Sequence, residues 1–390
     1  MNVLFCNVNQ VVSSAYGTER ATLSCARELD NNGFRCVSCY LRSVFQETKE
    51  NCFYKQYRIS DKSVTDELTD IIQKENIEVV IVEGMFTVPR KIRHVHKNVK
   101  IIFVHHFEPG WEENFFKRRS LIAALGTKLR LDSKLKIVVK TVLFSLFKER
   151  EINKNHWNYK EAYEYSDVVV LLSKSYIAPY QKYGRFHNNN KFAVIPNMLT
   201  YDLGDNGVDI NEKEKTAIVV TRLEETPKRI FLLLDIWKKI TKDSRSKGWN
   251  LLILGEGPDR RKYEKRIEND RIKHVTLTGR QEPKEYYKKS SIFLMTSKSE
   301  GWGLTLTEAQ LFGVVPIAFD TVPVFHDIIN DRENGFLVAE GEWDVYTECV
   351  LRLMVDTDFR KRIATNAIVA SRRFSKTIVG NKWKELLFKL

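Results

Sequence analysis

The sequence has few cysteines and no long apolar run, and both absences narrow the class of protein. Its 390 residues include six cysteines, too scattered for a disulfide framework or a structural zinc site. One C-x-x-C pair, Cys36 and Cys39, lies in an apolar segment typical of a strand, so we interpret both as buried reduced thiols. No stretch reaches the roughly 18 to 20 apolar residues that cross a bilayer, and the first residues lack a signal-peptide pattern. We therefore expect a cytoplasmic protein.

Acidic residues are almost missing from residues 117–148. This segment has nine basic residues and one acidic residue, so it carries +8 of the formal net charge of +13. Apolar residues at helical spacing lie between the basic ones, a pattern typical of a basic amphipathic helix on an anionic membrane surface. The alternative is a solvated helix whose apolar face belongs to a domain core. Since no RNA-binding or helix-turn-helix signature accompanies the charge, we do not expect nucleic acid as a partner.

The first apolar strand is not followed by G-x-G-x-x-G, which argues against a Rossmann oxidoreductase. Short apolar runs instead alternate with amphipathic helical patterns from Val3–Phe5 onward, as parallel sheets covered by helices require. A polar interval, Tyr201–Lys215, interrupts the alternation, which restarts at Ala217–Val220. We expect an α/β protein with two Rossmann-like domains that face each other across a cleft.

The domain limits follow from the same pattern. We expect an N-terminal domain over residues 1–205, which contains the basic insert 117–148, and a C-terminal domain over residues 206–375. The last helix, 376–390, is amphipathic, and we expect it to pack back towards the N-terminal domain.

The segment Ser297–Phe319 sets two glutamates eight positions apart around a glycine-rich turn. We expect Glu300 to close a strand and Glu308 to open a helix, with Gly301 and Gly303 in the turn. Such a turn leaves N–H groups at a helix N-terminus, where phosphate binds. Carboxylates beside a phosphate site favour a ligand with both phosphates and hydroxyls, such as a nucleotide sugar. Alternatively, Glu308 only stabilises the helix N-terminus.

Other candidate residues follow strands, where ligands bind in open α/β sheets. Arg222 and Lys228 follow the first strand of the second half and can converge on one diphosphate, although solvated surface cations are the alternative. His105 and His106 end an earlier strand. Because neighbouring strand residues point to opposite faces, only one can face the cleft. We favour His105, with His106 as the alternative.

Together these motifs resemble those of the family 4 glycosyltransferases, which have the GT-B fold. The second half has Arg222 and then Lys228 after a strand, L-x-I-L-G-x-G-P at Leu251–Pro258 and T-G-R at Thr278–Arg280. It also has the E-x7-E signature of Glu300 and Glu308. In the first half, Y-G-T-E-R at residues 16–20 is similar to the family's G-G-x-E-R, and AVIPN at residues 193–197 resembles its V-I-P-N strand.

The resemblance implies a role for each matching residue. The transferred sugar would contact the catalytic group His105, His106 and Glu300. The donor diphosphate would bind to Gly17, Arg222, Lys228 and the N–H groups of Gly303, Leu304 and Thr305. The nucleoside would bind near Gly279, Arg280 and Glu308. The acceptor side would hold Tyr16, Glu19 and Arg20.

The resemblance also implies a retaining hexosyltransferase that needs neither metal nor cofactor. We expect a UDP-sugar donor and a glycan acceptor, lipid-linked and part of capsule, O-antigen or exopolysaccharide assembly, so the protein would lie on the cytoplasmic face of the inner membrane. A GDP-mannose-dependent mannosyltransferase, a noncatalytic sugar-nucleotide binder, and a phosphorylase or nucleotide-sugar hydrolase are alternatives. The single D-x-D, Asp356–Asp358, we interpret as a turn and helix cap rather than a metal site.

Two positions depart from the family pattern. Arg229 follows Lys228 where the family has glycine, and Tyr16 replaces the first glycine of G-G-x-E-R, which narrows the acceptor side.

Overall fold

The computed structural model describes residues 1–12, 17–43, 52–114, 138, 144–204 and 207–390. They form two compact units, one of residues Met1–Pro196 with Gly380–Leu390, the other of Asn197–Val379. Each unit contains a parallel sheet with helices, which confirms the predicted α/β class. Most of the basic insert 117–148 lies outside the described residues, so its amphipathic helix stays a prediction.

The first unit contains a seven-stranded parallel sheet in the order β3-β2-β1-β4-β5-β6-β7. Its elements are β1 (Asn2–Asn9), α1 (Gly17–Asn31), β2 (Arg35–Arg42), β3 (Lys55–Arg58), α2 (Val64–Lys74), β4 (Val79–Glu83), α3 (Val88–Val95), β5 (Lys100–His105), α4 (Phe144–Tyr165), β6 (Val168–Leu171), α5 (Ile177–Gly184) and β7 (Phe192–Val194). The strand order reverses between β1 and β4, which makes that place the topological switch point of the unit.

The second unit contains a six-stranded parallel sheet in the order β10-β9-β8-β11-β12-β13. Its elements are β8 (Thr216–Val220), α6 (Glu225–Lys228), α7 (Ile230–Ile240), β9 (Asn250–Leu254), α8 (Arg260–Asn269), β10 (Val275–Gly279), α9 (Pro283–Lys289), β11 (Ile292–Met295), α10 (Leu304–Leu311), β12 (Val315–Asp320), β13 (Phe336–Ala339), α11 (Trp343–Val355) and α12 (Thr357–Ser371). Here the switch point lies between β8 and β11.

The sheet of the second unit is held by an apolar core. Trp237 on α7 and Trp249 before β9 are buried against strand residues such as Leu251. Trp237 also satisfies its indole N–H by donating to the carbonyl of Lys273 at 3.1 Å. Burying a large apolar side chain contributes roughly 1.5–3 kcal/mol, so this core fixes the strands whose ends carry the site loops.

A final helix, α13 (Lys376–Phe388), begins in the second unit and continues in the first. Within the first unit Gly380 packs against α1 so closely that a Cβ at that position would lie 2.3 Å from Cγ of Glu28. Lys384 donates to the side-chain oxygen of Asn32 at 2.9 Å, and the ring of Phe388 lies 5.7 Å from that of Phe34. Within the second unit, which begins at Asn197, Leu199 donates its N–H to the carbonyl of Phe374 at 2.8 Å.

Sequence patterns located most strands but missed β3 and β13. β3 is polar and lies at the sheet edge, and β13 pairs only with β12 among the described strands. Two placements were wrong. Glu300 does not close a strand, because β11 ends five residues earlier. Glu308 does not open a helix, since it is the fifth residue of α10, which begins at Leu304.

Candidate active site

Four loops at the carboxyl edge of the second sheet are joined by backbone hydrogen bonds. Gly255 after β9 donates to the carbonyl of Gly279 at 2.8 Å, and Leu223 after β8 donates to the carbonyl of Glu256 at 3.0 Å. On the other side, Lys298 after β11 donates to the carbonyl of Pro227 at 2.8 Å. The predicted loops therefore form one continuous surface along the strand ends.

Glycine makes the close approach of two of these loops feasible. A Cβ on Gly255, which has φ of 148°, would lie 1.8 Å from the carbonyl oxygen of Thr221. A Cβ on Gly257 would lie 2.2 Å from the carbonyl oxygen of Leu223. The G-x-G of this chain therefore has a packing role, because any side chain would push the β8 and β9 loops apart.

An ion pair lies at the switch point of the second unit. Nζ of Lys228, at the end of α6, lies 2.6 Å from Oε1 of Glu300 in the loop after β11. The two side chains are 19% and 15% exposed. The structure thus brings together a predicted phosphate-binding cation and the predicted sugar-binding carboxylate. Arg222, also predicted to bind the diphosphate, contacts Glu224 at 3.3 Å and is about half exposed.

The helix α10 begins beside this pair. Gly303 caps it with φ of 98°, a conformation that glycine adopts without strain. The first bonds of the helix run from the N–H groups of Leu306 and Thr307 to the carbonyl of Gly303, at 2.8 and 3.3 Å. The N–H groups of Gly303, Leu304 and Thr305 therefore have no acceptor within the helix, as a phosphate site at a helix N-terminus requires.

Glu308 lies deeper than the sequence suggested. It is fully buried and accepts hydrogen bonds from Oγ1 of Thr200 at 2.5 Å and from the hydroxyl of Tyr287 at 3.3 Å. Two hydroxyl groups thus approach its carboxylate, the same type of donor that a ribose supplies. Contact with a ribose would require Thr200 to move.

The predicted nucleoside residues lie at the end of β10. Gly279 has φ of 78°, and a Cβ there would lie 3.1 Å from Oε1 of Glu256 and 3.3 Å from a guanidinium nitrogen of Arg260. Arg280, the next residue, is exposed at the sheet edge.

The predicted acceptor and phosphate residues of the first unit lie at the start of α1. Gly17 is the first residue of this helix and is exposed. Glu19 is buried and accepts a hydrogen bond from the side-chain nitrogen of Asn9 at 2.7 Å, so it fixes the loop after β1. Arg20 follows on the helix and is half-buried, whereas Tyr16 lies outside the described residues.

His105, the last residue of β5, lies in an aromatic cluster. Its ring centroid is 5.6 Å from that of Phe86, 5.3 Å from Tyr159 and 5.4 Å from Tyr180. The hydroxyl of Tyr159 lies 3.5 Å from Nε2, a weak contact. Burial, with a smaller effect of His106, lowers the pKa of His105 to about 3, so its ring is neutral at physiological pH.

His106 has a different environment. Its Nε2 makes a short contact with Oε2 of Glu83, the last residue of β4, and both side chains are buried. Glu83 therefore lies at the switch point of the first unit, beside β1. Sequence reasoning missed Glu83, although a lone carboxylate ending an apolar strand was a usable signal. In the described residues, neither histidine has a partner for its Nδ1 atom.

The D-x-D segment is a helix cap, as predicted. Asp356 accepts a hydrogen bond from the N–H of Phe359 at 2.9 Å at the start of α12. Cys36 and Cys39 are buried, free thiols on β2, which also agrees with the sequence interpretation. Among the described residues, no group of three or more potential ligands could hold a metal ion, and no helix is long and apolar enough to cross a membrane.

Comparison with known proteins shows which proteins this chain resembles. Residues 205–369 match the family described as Glycosyl transferases group 1. An uncharacterized glycosyltransferase of Haemophilus influenzae is 22% identical over 394 aligned residues, which cover 96% of this chain and 97% of the relative. The amylovoran biosynthesis glycosyltransferase AmsD of Erwinia amylovora is 29% identical over 177 residues, covering 45% of this chain and 48% of AmsD.

A solved structure extends the likeness to the whole fold. HepE of Anabaena, crystallised with UDP and glucose, is 14% identical and has a TM-score of 0.74, with all of both chains covered. This structural likeness shows that the chain has the GT-B fold, and residues 205–369 are similar to the glycosyl transferases of group 1.

Proposed function

We propose that this protein is a glycosyltransferase that transfers a hexose from a UDP-sugar to a glycan acceptor with retention of the anomeric configuration. One observation carries the proposal: the Lys228–Glu300 ion pair at 2.6 Å, next to the N-terminus of α10 at the switch point of the second sheet. The UDP and glucose in the HepE structure support the choice of donor. A GDP-mannose donor is the alternative.

In the proposed donor complex the diphosphate replaces Glu300 as the partner of Lys228. The exchange keeps an anion beside the ammonium group of Lys228, so this charge is not left unpaired. The released carboxylate of Glu300 then binds hydroxyls of the sugar. The N–H groups at Gly303, Leu304 and Thr305 receive the same diphosphate, with Arg222 as a second cation.

The chemical logic of transfer needs positive charge at the leaving group. Breaking the sugar–phosphate bond creates an oxocarbenium-like sugar and a negatively charged nucleoside diphosphate. Lys228 and the dipole of α10 stabilise that diphosphate, which in turn accepts the proton of the attacking hydroxyl. We therefore propose that the reaction proceeds without a metal ion. Activity that persists after EDTA treatment supports this step, and activity lost with EDTA and restored by Mg²⁺ contradicts it.

On the sugar side we propose His106 rather than His105 as the contact. His106 is held by Glu83 at the first switch point, whereas the ring of His105 is enclosed by aromatic rings. The contact with Glu83 fixes the orientation of the imidazole. This reverses the preference drawn from the sequence. Glu19, Arg20 and Tyr16 remain proposed acceptor residues.

For the acceptor we propose a lipid-linked glycan of a surface polysaccharide. AmsD, a relative over 45% of this chain, is an amylovoran biosynthesis enzyme, and the basic segment 117–148 suits an anionic membrane surface. Binding to vesicles with anionic lipid that falls as salt rises would support this. Negligible binding to both anionic and neutral vesicles at low salt would contradict the proposed association with a membrane.

The donor is tested with a panel of UDP- and GDP-sugars. We expect one UDP-sugar to raise the melting temperature of the protein and to release UDP faster when an acceptor is added. NMR of the product then reports its anomeric configuration. Tight binding without turnover would favour a noncatalytic binder, and UDP release that ignores the acceptor would favour a hydrolase.

A further inference from the structure

A cationic cavity lies at the opposite edge of the second sheet from the Lys228–Glu300 pair. Lys213 precedes β8, and Ser291 and Gly313 precede β11 and β12, so the cavity lies at the amino ends of these strands. Its volume is about 120 Å³. Its polar lining consists of Asn211, Lys213, Ser291, Thr357, Arg360 and Lys361. Three of these side chains are cationic, and no acidic residue lines the cavity in the part of the chain that the structure describes.

Lys213 is the most deeply buried of the three cations. Its ammonium group donates to the carbonyls of Tyr287 at 2.7 Å and of Phe312 at 2.6 Å, which uses two of its three donors. No carboxylate pairs with it among the described residues, and burial alone lowers its pKa to about 7. A buried charge without a counterion is costly, and an anion bound in the cavity would favour the protonated form of Lys213.

Among the described residues, the other two cations also donate hydrogen bonds only to neutral groups. Arg360 donates to the carbonyls of Leu353 and Met354 and to the hydroxyl of Thr357, the last at 3.4 Å. Burial lowers its pKa as well, and the charge of Asp356 offsets this only in part. Lys361 donates to the side-chain oxygen of Asn211 at 2.7 Å. The three cationic residues therefore line one cavity that has no carboxylate among its described lining residues.

The size of the cavity selects a small anion. One water molecule occupies about 30 Å³ in the liquid, so the cavity has room for several waters or for one tetrahedral oxyanion. It is smaller than the roughly 300–1,000 Å³ of pockets that hold drug-sized ligands, so a complete nucleotide sugar does not fit. We propose that this cavity binds a phosphate-type oxyanion, either inorganic phosphate or the phosphate group of a small ester, through Lys213, Arg360 and Lys361.

Calorimetric titration with inorganic phosphate, and separately with glycerol phosphate, tests the proposal at an ionic strength held constant with sodium chloride. We expect saturable binding of at least one of the two, and the tighter one identifies the source. The Lys361→Gln variant should weaken this binding at least tenfold, because it removes one charge but keeps a hydrogen-bonding side chain. Lys213→Met should weaken it further. The melting temperature without phosphate shows that each variant is folded.

Two further variants separate this cavity from other anion sites. Lys239→Gln removes a surface charge that pairs with Asp344, and it should bind phosphate like the wild type. Lys228→Gln disables the proposed donor site, and phosphate binding to the cavity should survive it. Wild-type affinity in Lys361→Gln, equal loss in Lys239→Gln, loss in Lys228→Gln alone, or no binding of either anion would each overturn the proposal.

Discussion

The switch points of the two sheets are built from different chemistry. In the second unit a charged pair, Lys228 and Glu300, lies partly exposed in loops beside a helix N-terminus. In the first unit Glu83 and His106 are buried at strand ends, next to the aromatic surroundings of His105. The side chains of Lys228 and Glu300 are 19% and 15% exposed, so a ligand can reach this pair, whereas the Glu83–His106 pair is almost fully buried and is fixed before any ligand arrives. We therefore propose that the donor site changes its ion pair when the diphosphate binds, whereas the sugar contact, His106, is already held in position.

The largest effect is expected at the Lys228–Glu300 pair. Glu300→Gln and Lys228→Gln should each lower kcat by about 10²- to 10³-fold, because each removes charge that acts on the sugar or on the leaving diphosphate. Their double variant should lose less than the product of the single losses, since the two residues act at one centre. Steady-state kinetics with the donor identified by the panel measure this.

A neighbouring ion pair provides the control. Lys298 lies in the same loop as Glu300 and contacts Glu340 at 3.0 Å, with both side chains about half exposed. Lys298→Gln should change kcat by less than about threefold, as expected for a surface pair. If it lowered kcat as much as Lys228→Gln does, the loop as a whole would matter rather than the pair at the switch point.

The second effect should separate the two histidines. His106→Asn should lower kcat by about 10- to 100-fold, and Glu83→Gln should lower it to a smaller extent, because the ring of His106 stays but loses the carboxylate that orients it. His105→Phe keeps an aromatic ring in the cluster and should leave kcat within a few-fold. The opposite ranking, with His105→Phe the more damaging, would return the sugar contact to His105.

The sequence predicted the fold better than the site. A strand that is buried on both faces has consecutive apolar residues, so apolar runs such as Val79–Val82 predict strands. Contacts between side chains on neighbouring strands leave no such local pattern in the sequence. Glu83 and His106 are 23 residues apart, and nothing local in the sequence says that their strands are neighbours. The depth of Glu308 was also missed, since a helix in which seven of eight residues are buried has no polar face to signal its orientation.

The third effect concerns stability and pH. Between pH 6.5 and about 3 the unfolded chain binds a proton on His105 and the folded chain does not. Stability from this group is therefore complete above pH 6.5 and is lost as pH falls, by at most about 1.4 kcal/mol per pH unit. His105→Phe should flatten this part of the pH profile of unfolding in urea. An unchanged slope would mean that His105 is protonated within the fold and would weaken the contrast between the two switch points.

The smallest effect should come from Arg229, where the family has glycine. Arg229 follows Lys228 with φ of 53°, a left-handed conformation that costs a residue with a Cβ about 1 kcal/mol. Its guanidinium compensates by donating to the carbonyl of Thr296 at 2.6 Å and to Glu340 at 2.9 Å. Arg229→Gly should relieve the strain and lose these bonds, so the free energy of unfolding should change by no more than about 1 kcal/mol.

Arg229→Ala separates the two contributions, because it loses the same hydrogen bonds and keeps the strain. It should be less stable than Arg229→Gly by about 1 kcal/mol, measured by urea unfolding. Both variants should retain kcat within a few-fold, since the guanidinium contacts the loop after β11 rather than the Lys228–Glu300 pair. A large loss of kcat with unchanged stability would instead make Arg229 a third cation of the proposed donor site. The switch point of the second unit would then carry more positive charge than the family pattern, which has glycine at this position.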